Sequence, residues 1–350
     1  MTALGARLGR LLRRPRARAL PVASVQVELT NHCNYACRLC PQSRRGRDNA
    51  PLAPYDRPRG FMEPGLFREV VAQAARCANE INLSFFGEQT LHPRFEEYMR
   101  VLAGRPASLR VVLNTNLSRL TRHTFALFRE MRLDDLRLSI DAATSRTYDL
   151  VRPGAQVLDL DGAPATGDRF RAIRAKAEYW FALPGHTPTR HVFPVSSANR
   201  HEMRDFADFW LPRLGPGDLI LFKNVLTYGG KVDDPMIQDA PCNAWDQDML
   251  TVAWDGRVTP CNLDTNLDLA IGSVLERPLE ELFRGPERAA ARARARDRDA
   301  PPCSTCRDSN NWSRNIALRQ GDAWREEIAL VFRDPRCGGP ARPGEAPCPG

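Results

Sequence analysis

The stretch NHCNYACRLCP, residues 31–41, places Cys33, Cys37 and Cys40 within eight positions. It follows directly on SVQVELT (24–30), a valine-rich run that reads as a buried strand. A closed structural metal site takes four ligands, and this loop supplies three. Ferredoxin spacings also supply four cysteines per cluster, and the loop departs from them. Three thiolates on a tight loop can hold three corners of a cubic [4Fe–4S] cluster and leave the fourth iron open to a small molecule. Catalytic zinc sites keep an open position by the same logic. Zinc is the competing reading of these residues.

Outward from that loop, short apolar runs alternate with helical patterns. The strand candidates are 24–30, 80–87, 109–116, 135–141, 190–196 and 218–225, dominated by Val, Ile, Leu and Phe. Between them, residues 64–78 put Phe67, Val70, Val71 and Ala74 at helical spacing behind Pro64. Further helices are expected near 95–103, 121–131, 168–181 and 200–210. Six β-then-α units in series predict an α/β fold, a partial (β/α)6 TIM-like barrel. Such folds carry their chemistry on the loops at the carboxyl ends of the strands, which is where the three cysteines fall. Cys77 lies on the apolar side of a helix and reads as core.

The pattern changes after about residue 230. MLTVAWDGRVTPCN (249–262) reads as two strands joined by an Asp255-Gly256 turn, and RPLEELFRG (277–285) as a short helix. Cys242, Cys261, Cys303 and Cys306 supply four thiolates, the last two as C-x2-C. A fully ligated [4Fe–4S] cluster and a zinc site fit that set equally well by spacing. The expected division is a basic arm (1–20), a barrel (21–232), a small cysteine-bearing domain (233–333) and a Pro/Gly-rich tail (334–350) holding Cys337 and Cys348.

Composition narrows the class. The chain has 350 residues, 43% hydrophobic and 26% charged, as soluble globular proteins do. No run of about 18 apolar residues occurs, so no transmembrane helix is expected. The N-terminus lacks the apolar core of a secretory signal, and a cytoplasmic location is the default. The net charge of +8 includes six arginines within residues 1–20, where no acid stands. That reads as a solvated arm. ERAAARARARDRDA (287–300) reads as a solvated helix face, without the interleaved aromatic residues that stack on bases. Nucleic acid is therefore not expected as a partner, nor is a membrane.

With the residues around it, Cys33-x3-Cys37-x2-Cys40 closely resembles the hallmark of the radical S-adenosylmethionine (SAM) superfamily, with Tyr35 as its aromatic residue. Further matches follow strand by strand. FFGEQTLHP (85–93) resembles the Gly-Glu motif that contacts the SAM amino group, here Gly87 and Glu88, with Gln89 in place of the usual proline. LNTNL (113–117) resembles the family's segment after strand three and brings in Asn114. RLSIDAATSRTYDLVRPGA (137–155) resembles the strand-four segment, with Ser139 and Asp141 near the SAM ribose and carboxylate. The resemblance implies that the open iron chelates SAM, that an electron from the cluster cleaves the sulfonium, and that a 5′-deoxyadenosyl radical abstracts hydrogen from a substrate. It also implies an external electron donor such as flavodoxin or ferredoxin.

Residues 241–283 followed by C-x2-C resemble the Twitch domain, the shortened form of the SPASM domain. That implies one auxiliary [4Fe–4S] cluster on Cys242, Cys261, Cys303 and Cys306. The closest functional analogy is to aminocyclitol and carbohydrate dehydrogenases of antibiotic biosynthesis. The expected reaction is oxidation of a secondary alcohol on a sugar or aminocyclitol to a ketone, the auxiliary cluster taking the electron of a deprotonated ketyl radical. Candidate catalytic groups at the ends of late strands are Arg152, His191 and Lys223, with Asn224 beside them. The alternatives are epimerisation, decarboxylation or elimination on a carbohydrate, and peptide maturation. A zinc-bearing nucleic-acid binder would explain the arm and leave the barrel motifs unexplained.

Overall fold

In the computed structural model the apolar runs become strands β1 (Ser24–Val27), β2 (Glu80–Leu83), β3 (Arg110–Thr115), β4 (Asp135–Ser139), β5 (Thr189–Val195) and β6 (Leu219–Asn224). They lie side by side in chain order, every neighbouring pair parallel. The structure describes residues 20–43, 55–154, 156–237, 242, 244–298, 301–307 and 315–332. Nearly all of the arginine-rich arm, and the tail with Cys337 and Cys348, lie outside those residues.

Helices α1 (Pro64–Cys77), α2 (Phe95–Ala103), α3 (Arg122–Glu130), α4 (Ser145–Val151), α5 (Arg169–Ala182) and α6 (Met203–Trp210) connect the strands. α1 starts on Pro64 and buries Phe67, Val70, Ala74 and Cys77. Cys77 is therefore a core residue, as its place on the apolar face predicts. α3 starts with a capping box between Thr121 and Thr124. The product is the partial (β/α)6 barrel, its parallel strands covered outside by helices.

Two features depart from the sequence reading. First, the sheet has ten strands. β7 (Met249–Val252) pairs in parallel with β1, and β8 (Arg257–Thr259) and β9 (Gly272–Ser273) continue from it. β10 (Ile316–Arg319) runs antiparallel to β6. The hairpin expected beyond the barrel is thus continuous with the barrel sheet, and both outer barrel strands gain a partner instead of an open edge. Second, α4 occupies residues read only as part of the strand-four segment, capped by Thr144. The expected helices in the last third are present as α7 (Leu279–Arg284) and α8 (Pro286–Asp297), followed by α9 (Glu326–Val331). α8 buries Ala291 and Ala295.

Alternation along the strands decides what the barrel interior contains. On β5, Arg190, Val192 and Pro194 line an interior cavity, while Thr189, His191, Phe193 and Val195 are buried on the other side. In register with His191 are Leu138 and Ile220, both fully buried.

Candidate functional site

The loop carrying Cys33, Cys37 and Cys40 leaves β1 at its carboxyl end and is held from three sides. Ala36 N donates to Pro153 O at 2.8 Å and Arg38 N to Val151 O at 3.0 Å, tying the loop to the end of α4. Tyr35 and Tyr148 share a 2.8 Å hydroxyl–hydroxyl bond. Across the β2 loop, Glu88 N donates to His32 O at 2.8 Å and Gly87 N to Gln42 Oε1 at 3.2 Å. Gly87 has φ +82°, and a Cβ there would stand 2.3 Å from Thr30 O. Glycine at 87 is thus required by conformation and by close backbone approach.

Gln89 stitches the same two loops together. Its Oε1 accepts from Leu29 N at 2.6 Å, and its Nε2 donates to Phe86 O at 3.0 Å.

The three thiols face one cavity that opens at its mouth to solvent. Gly87, Glu88, Asn114, Ser139, Asp141 and Arg152 line it too, so these six predicted residues converge on the cysteines. Asp141 has φ +60°, a left-handed conformation that Asp tolerates better than most residues. Its Oδ2 accepts from Arg152 Nη2 at 2.5 Å, and Arg152 Nη1 reaches Cys37 Sγ at 3.6 Å. Asp141 Oδ1 and Arg152 Nε are buried without a partner, polar atoms left for a ligand to satisfy. Glu88 is buried and fully engaged. It accepts from Thr90 Oγ1 at 2.6 Å, Thr115 Oγ1 at 2.8 Å and Asn116 N at 2.7 Å.

Desolvation dominates the electrostatics. Burial, then Cys37, push Cys40 up to about 12. Burial raises Cys33 and Cys37 as well, with Arg152 acting in the opposite direction on Cys37. Left alone, these thiols keep their protons. Binding a metal releases the protons and reverses that preference. Among the described residues no three His, Cys, Asp or Glu side chains stand close enough to grip a single ion. The three sulfurs line one cavity, an arrangement that fits a cluster with one iron left open.

Two predicted residues are placed elsewhere. Tyr35 does not line the cavity. It packs edge-on against Tyr148 at 6.2 Å and positions the loop. Leu39, next to Cys40, lines the cavity and was not singled out. His191, expected at the barrel mouth, is fully buried on the helix side. Its ring lies 4.1 Å from that of Trp210 and 5.0 Å from that of Phe181, and neither nitrogen has a hydrogen-bond partner. Burial lowers it to about 3, so it stays neutral. As a candidate base it is corrected by the alternation of β5. Lys223 and Asn224 do line the barrel interior.

That interior is a second cavity of about 1470 Å³, sharing Asn114, Ser139, Arg152 and Tyr228 with the first. A chain of polar side chains runs across β7, β1, β2 and β3 on one side of it. Thr251 Oγ1 donates to Gln26 Oε1 at 3.1 Å, Gln26 Nε2 to Ser84 Oγ at 2.6 Å, and Asn114 Nδ2 to Asn82 Oδ1 at 3.0 Å.

Cys242, Cys261, Cys303 and Cys306 line a third cavity, walled by Trp245, Leu263, Leu269 and Ala295. Four thiols in a largely apolar pocket fit a fully ligated cluster. Asp264 holds the loop after Cys261, accepting from Thr259 Oγ1, Asp268 N and Leu269 N at 2.8–2.9 Å. Arg298 Nε donates to Cys303 O at 3.2 Å. Thr305 Oγ1 donates to Gly229 O at 2.6 Å, joining this site to the loop after β6.

Residues 27–175 match the Radical SAM superfamily, and residues 242–307 match SPASM, an iron-sulfur cluster-binding domain. The tungsten-containing aldehyde ferredoxin oxidoreductase cofactor-modifying protein of Pyrococcus furiosus is 23% identical over 271 residues, 67% of this chain and 69% of its own. Among solved structures, BtrN in complex with AdoMet and 2-DOIA has a TM-score of 0.53 at 16% identity, covering 83% of this chain and 94% of its own. anSMEcpe with bound AdoMet has a TM-score of 0.55 at 16% identity, covering 77% and 82%. Streptococcus suis SuiB bound to precursor peptide SuiA has 0.56 at 10%, covering 89% and 71%. These structures share the fold, and the cofactors of such a chain are SAM and iron–sulfur clusters. The chain thus carries a radical SAM domain over residues 27–175 and an iron–sulfur cluster-binding domain over residues 242–307, and it is a SAM-dependent enzyme.

Proposed function

We propose that the enzyme oxidises a secondary alcohol of a carbohydrate, a sugar or aminocyclitol of the kind found in aminoglycoside antibiotic intermediates, to a ketone. One observation carries this reading: the barrel cavity lies between the two cysteine sites. It shares Ser139 and Arg152 with the first and Leu263 with the second. When bound, SAM and the two clusters supply a hydrogen-atom acceptor on one side and an electron acceptor on the other. The substrate gives up one hydrogen atom from carbon, one proton from oxygen and one electron, and becomes the carbonyl compound.

The residues of the chain divide the remaining work. Cys33, Cys37 and Cys40 hold the SAM-binding cluster, and Gly87, Glu88, Asn114, Ser139 and Asp141 shape the SAM cavity. Arg152 neutralises Asp141 and steadies Cys37. Asn82, Ser84 and Asn114 offer hydrogen bonds to hydroxyls. Lys223 takes the alcohol proton. It has no hydrogen-bond or ion-pair partner among the described residues, and burial lowers it from its ordinary value, which favours the neutral amine that a base requires. Cys242, Cys261, Cys303 and Cys306 hold the auxiliary cluster.

Support also comes from the BtrN likeness, whose complex contains AdoMet and 2-DOIA. Peptide modification is the second reading, favoured by the likeness to anSMEcpe with bound Cp18Cys peptide and to SuiB with its precursor peptide. The test is anaerobic incubation of reconstituted enzyme with SAM, a reductant and aminoglycoside intermediates. A ketone lighter by two hydrogens, formed with one 5′-deoxyadenosine each, supports the proposal. An isomer or a modified peptide instead would replace it.

A further inference from the structure

The barrel cavity carries a charge pattern that alcohol oxidation alone does not require. Arg137, Arg152, Arg190 and Lys223 line it, and no Asp or Glu among the described residues does. Arg152 is matched by Asp141. Arg137 and Arg190 face each other in register on β4 and β5 and share a single carboxylate, that of Asp135. Arg190 Nε donates to Asp135 Oδ1 at 3.1 Å and its Nη2 reaches Oδ2 at 2.8 Å, while Arg137 Nε and Nη2 reach the same Oδ2 at 3.3 Å.

Asp135 is buried, so it fixes both guanidinium planes from behind. Each arginine keeps Nη1 without a partner among the described residues. Two cations on one anion leave a net positive charge at the end of the cavity distant from Cys33, Cys37 and Cys40. Lys223 stands four residues along β6 from Leu219, the residue paired with Arg190. At the rise of an extended strand the arginine pair lies roughly 13 Å below Lys223.

We infer that the Arg137–Arg190 pair binds an anionic group of the substrate, a phosphate or a carboxylate, and so fixes the opposite end of the sugar at the reacting height. This inference rests on the carbohydrate reading and narrows it to an acidic carbohydrate; an unmodified cationic aminocyclitol would meet like charge. Guanidinium is suited to the task because its fork matches the paired oxygens of both anions.

The test is anaerobic calorimetric titration of the reconstituted holoenzyme, SAM present and reductant absent, so that no turnover is needed. The probes are glucose 6-phosphate, glucuronate, glucose and glucosamine. The expected result is that one or both anions bind at least about tenfold tighter than glucose and glucosamine, the magnitude of a charge-assisted pair. Whichever anion is preferred identifies phosphate or carboxylate. Arg190→Gln removes the preference and Arg190→Lys restores part of it. Should Arg190→Gln fail to fold, as judged by cluster absorbance, Arg137→Gln provides the same readout.

Equal binding of neutral, cationic and anionic sugars overturns the inference. So does absence of anion binding at millimolar concentration, or a preference unchanged in folded Arg190→Gln or Arg137→Gln. Ketone formation from a neutral sugar with no anion preference would sink this inference alone. Anion binding without dehydrogenation would sink only the alcohol-oxidation reading.

Discussion

Arg152 stands between Asp141 and Cys37, its guanidinium 2.5 Å from Asp141 Oδ2 and 3.6 Å from Cys37 Sγ. One side chain from the end of α4 thus joins the carboxylate after β4 to the cysteine loop after β1. Removing it strands a buried carboxylate. Arg152→Gln is expected to destabilise the protein by about 3 kcal/mol, the usual cost of breaking a buried pair from one side. Urea denaturation checks this, and iron content after reconstitution should fall in parallel. Arg152→Lys keeps the charge without the fork and should lose less.

Gly87→Ala tests the contact between the two loops. The new methyl would have to push Thr30 O from 2.3 Å and hold φ at +82°. Positive φ in a non-glycine residue costs on the order of 1–3 kcal/mol. Circular dichroism should stay near wild type, while SAM affinity, read by equilibrium dialysis, should weaken. Unchanged SAM affinity would mean that the β2 loop does not shape the cavity.

His191→Phe should leave turnover unchanged. The imidazole has no hydrogen-bond partner to lose and sits among Phe181, Phe206 and Trp210. Replacing two unbonded nitrogens with an apolar ring should leave stability equal or higher. A large fall in turnover in a normally folded variant would return His191 to the chemistry.

How far these placements are legible in sequence depends on the range of the interaction. The cysteine spacing and the β-then-α rhythm are local, and both lead to the barrel and its loop. TRHVFPV on β5 is different, because both of its faces carry apolar residues. Alternation alone therefore leaves the phase of the strand undecided, and His191 can be read toward either side. The phase is set by Leu138 and Ile220 on neighbouring strands. Tyr35 likewise finds its partner 113 positions away, in a helix the sequence pattern did not mark. The pairing of β7 with β1 joins residues more than 220 positions apart, which no local signal specifies.

Lys176 on α5 makes stability depend on pH. It is fully buried, donates to Leu117 O and Ser118 O at 3.0 Å each, and is pushed down by burial to about 7 from 10.5. Between those values the unfolded chain holds this proton and the folded one does not. Stability from this group therefore rises with pH from about 7 to 10.5 and is lowest below 7. The wild-type minus Lys176→Met difference in unfolding free energy should rise across that window. A flat difference would show that the amine titrates normally.

The most direct test of the central claim is electron paramagnetic resonance of reduced, anaerobically reconstituted protein with and without SAM. Two cubanes per chain, about eight irons, are expected. SAM should shift the signal of one cluster, and that signal should vanish in Cys37→Ala while the auxiliary signal remains. Zinc in place of iron, or a cubane spectrum indifferent to SAM, would contradict an open iron held by Cys33, Cys37 and Cys40.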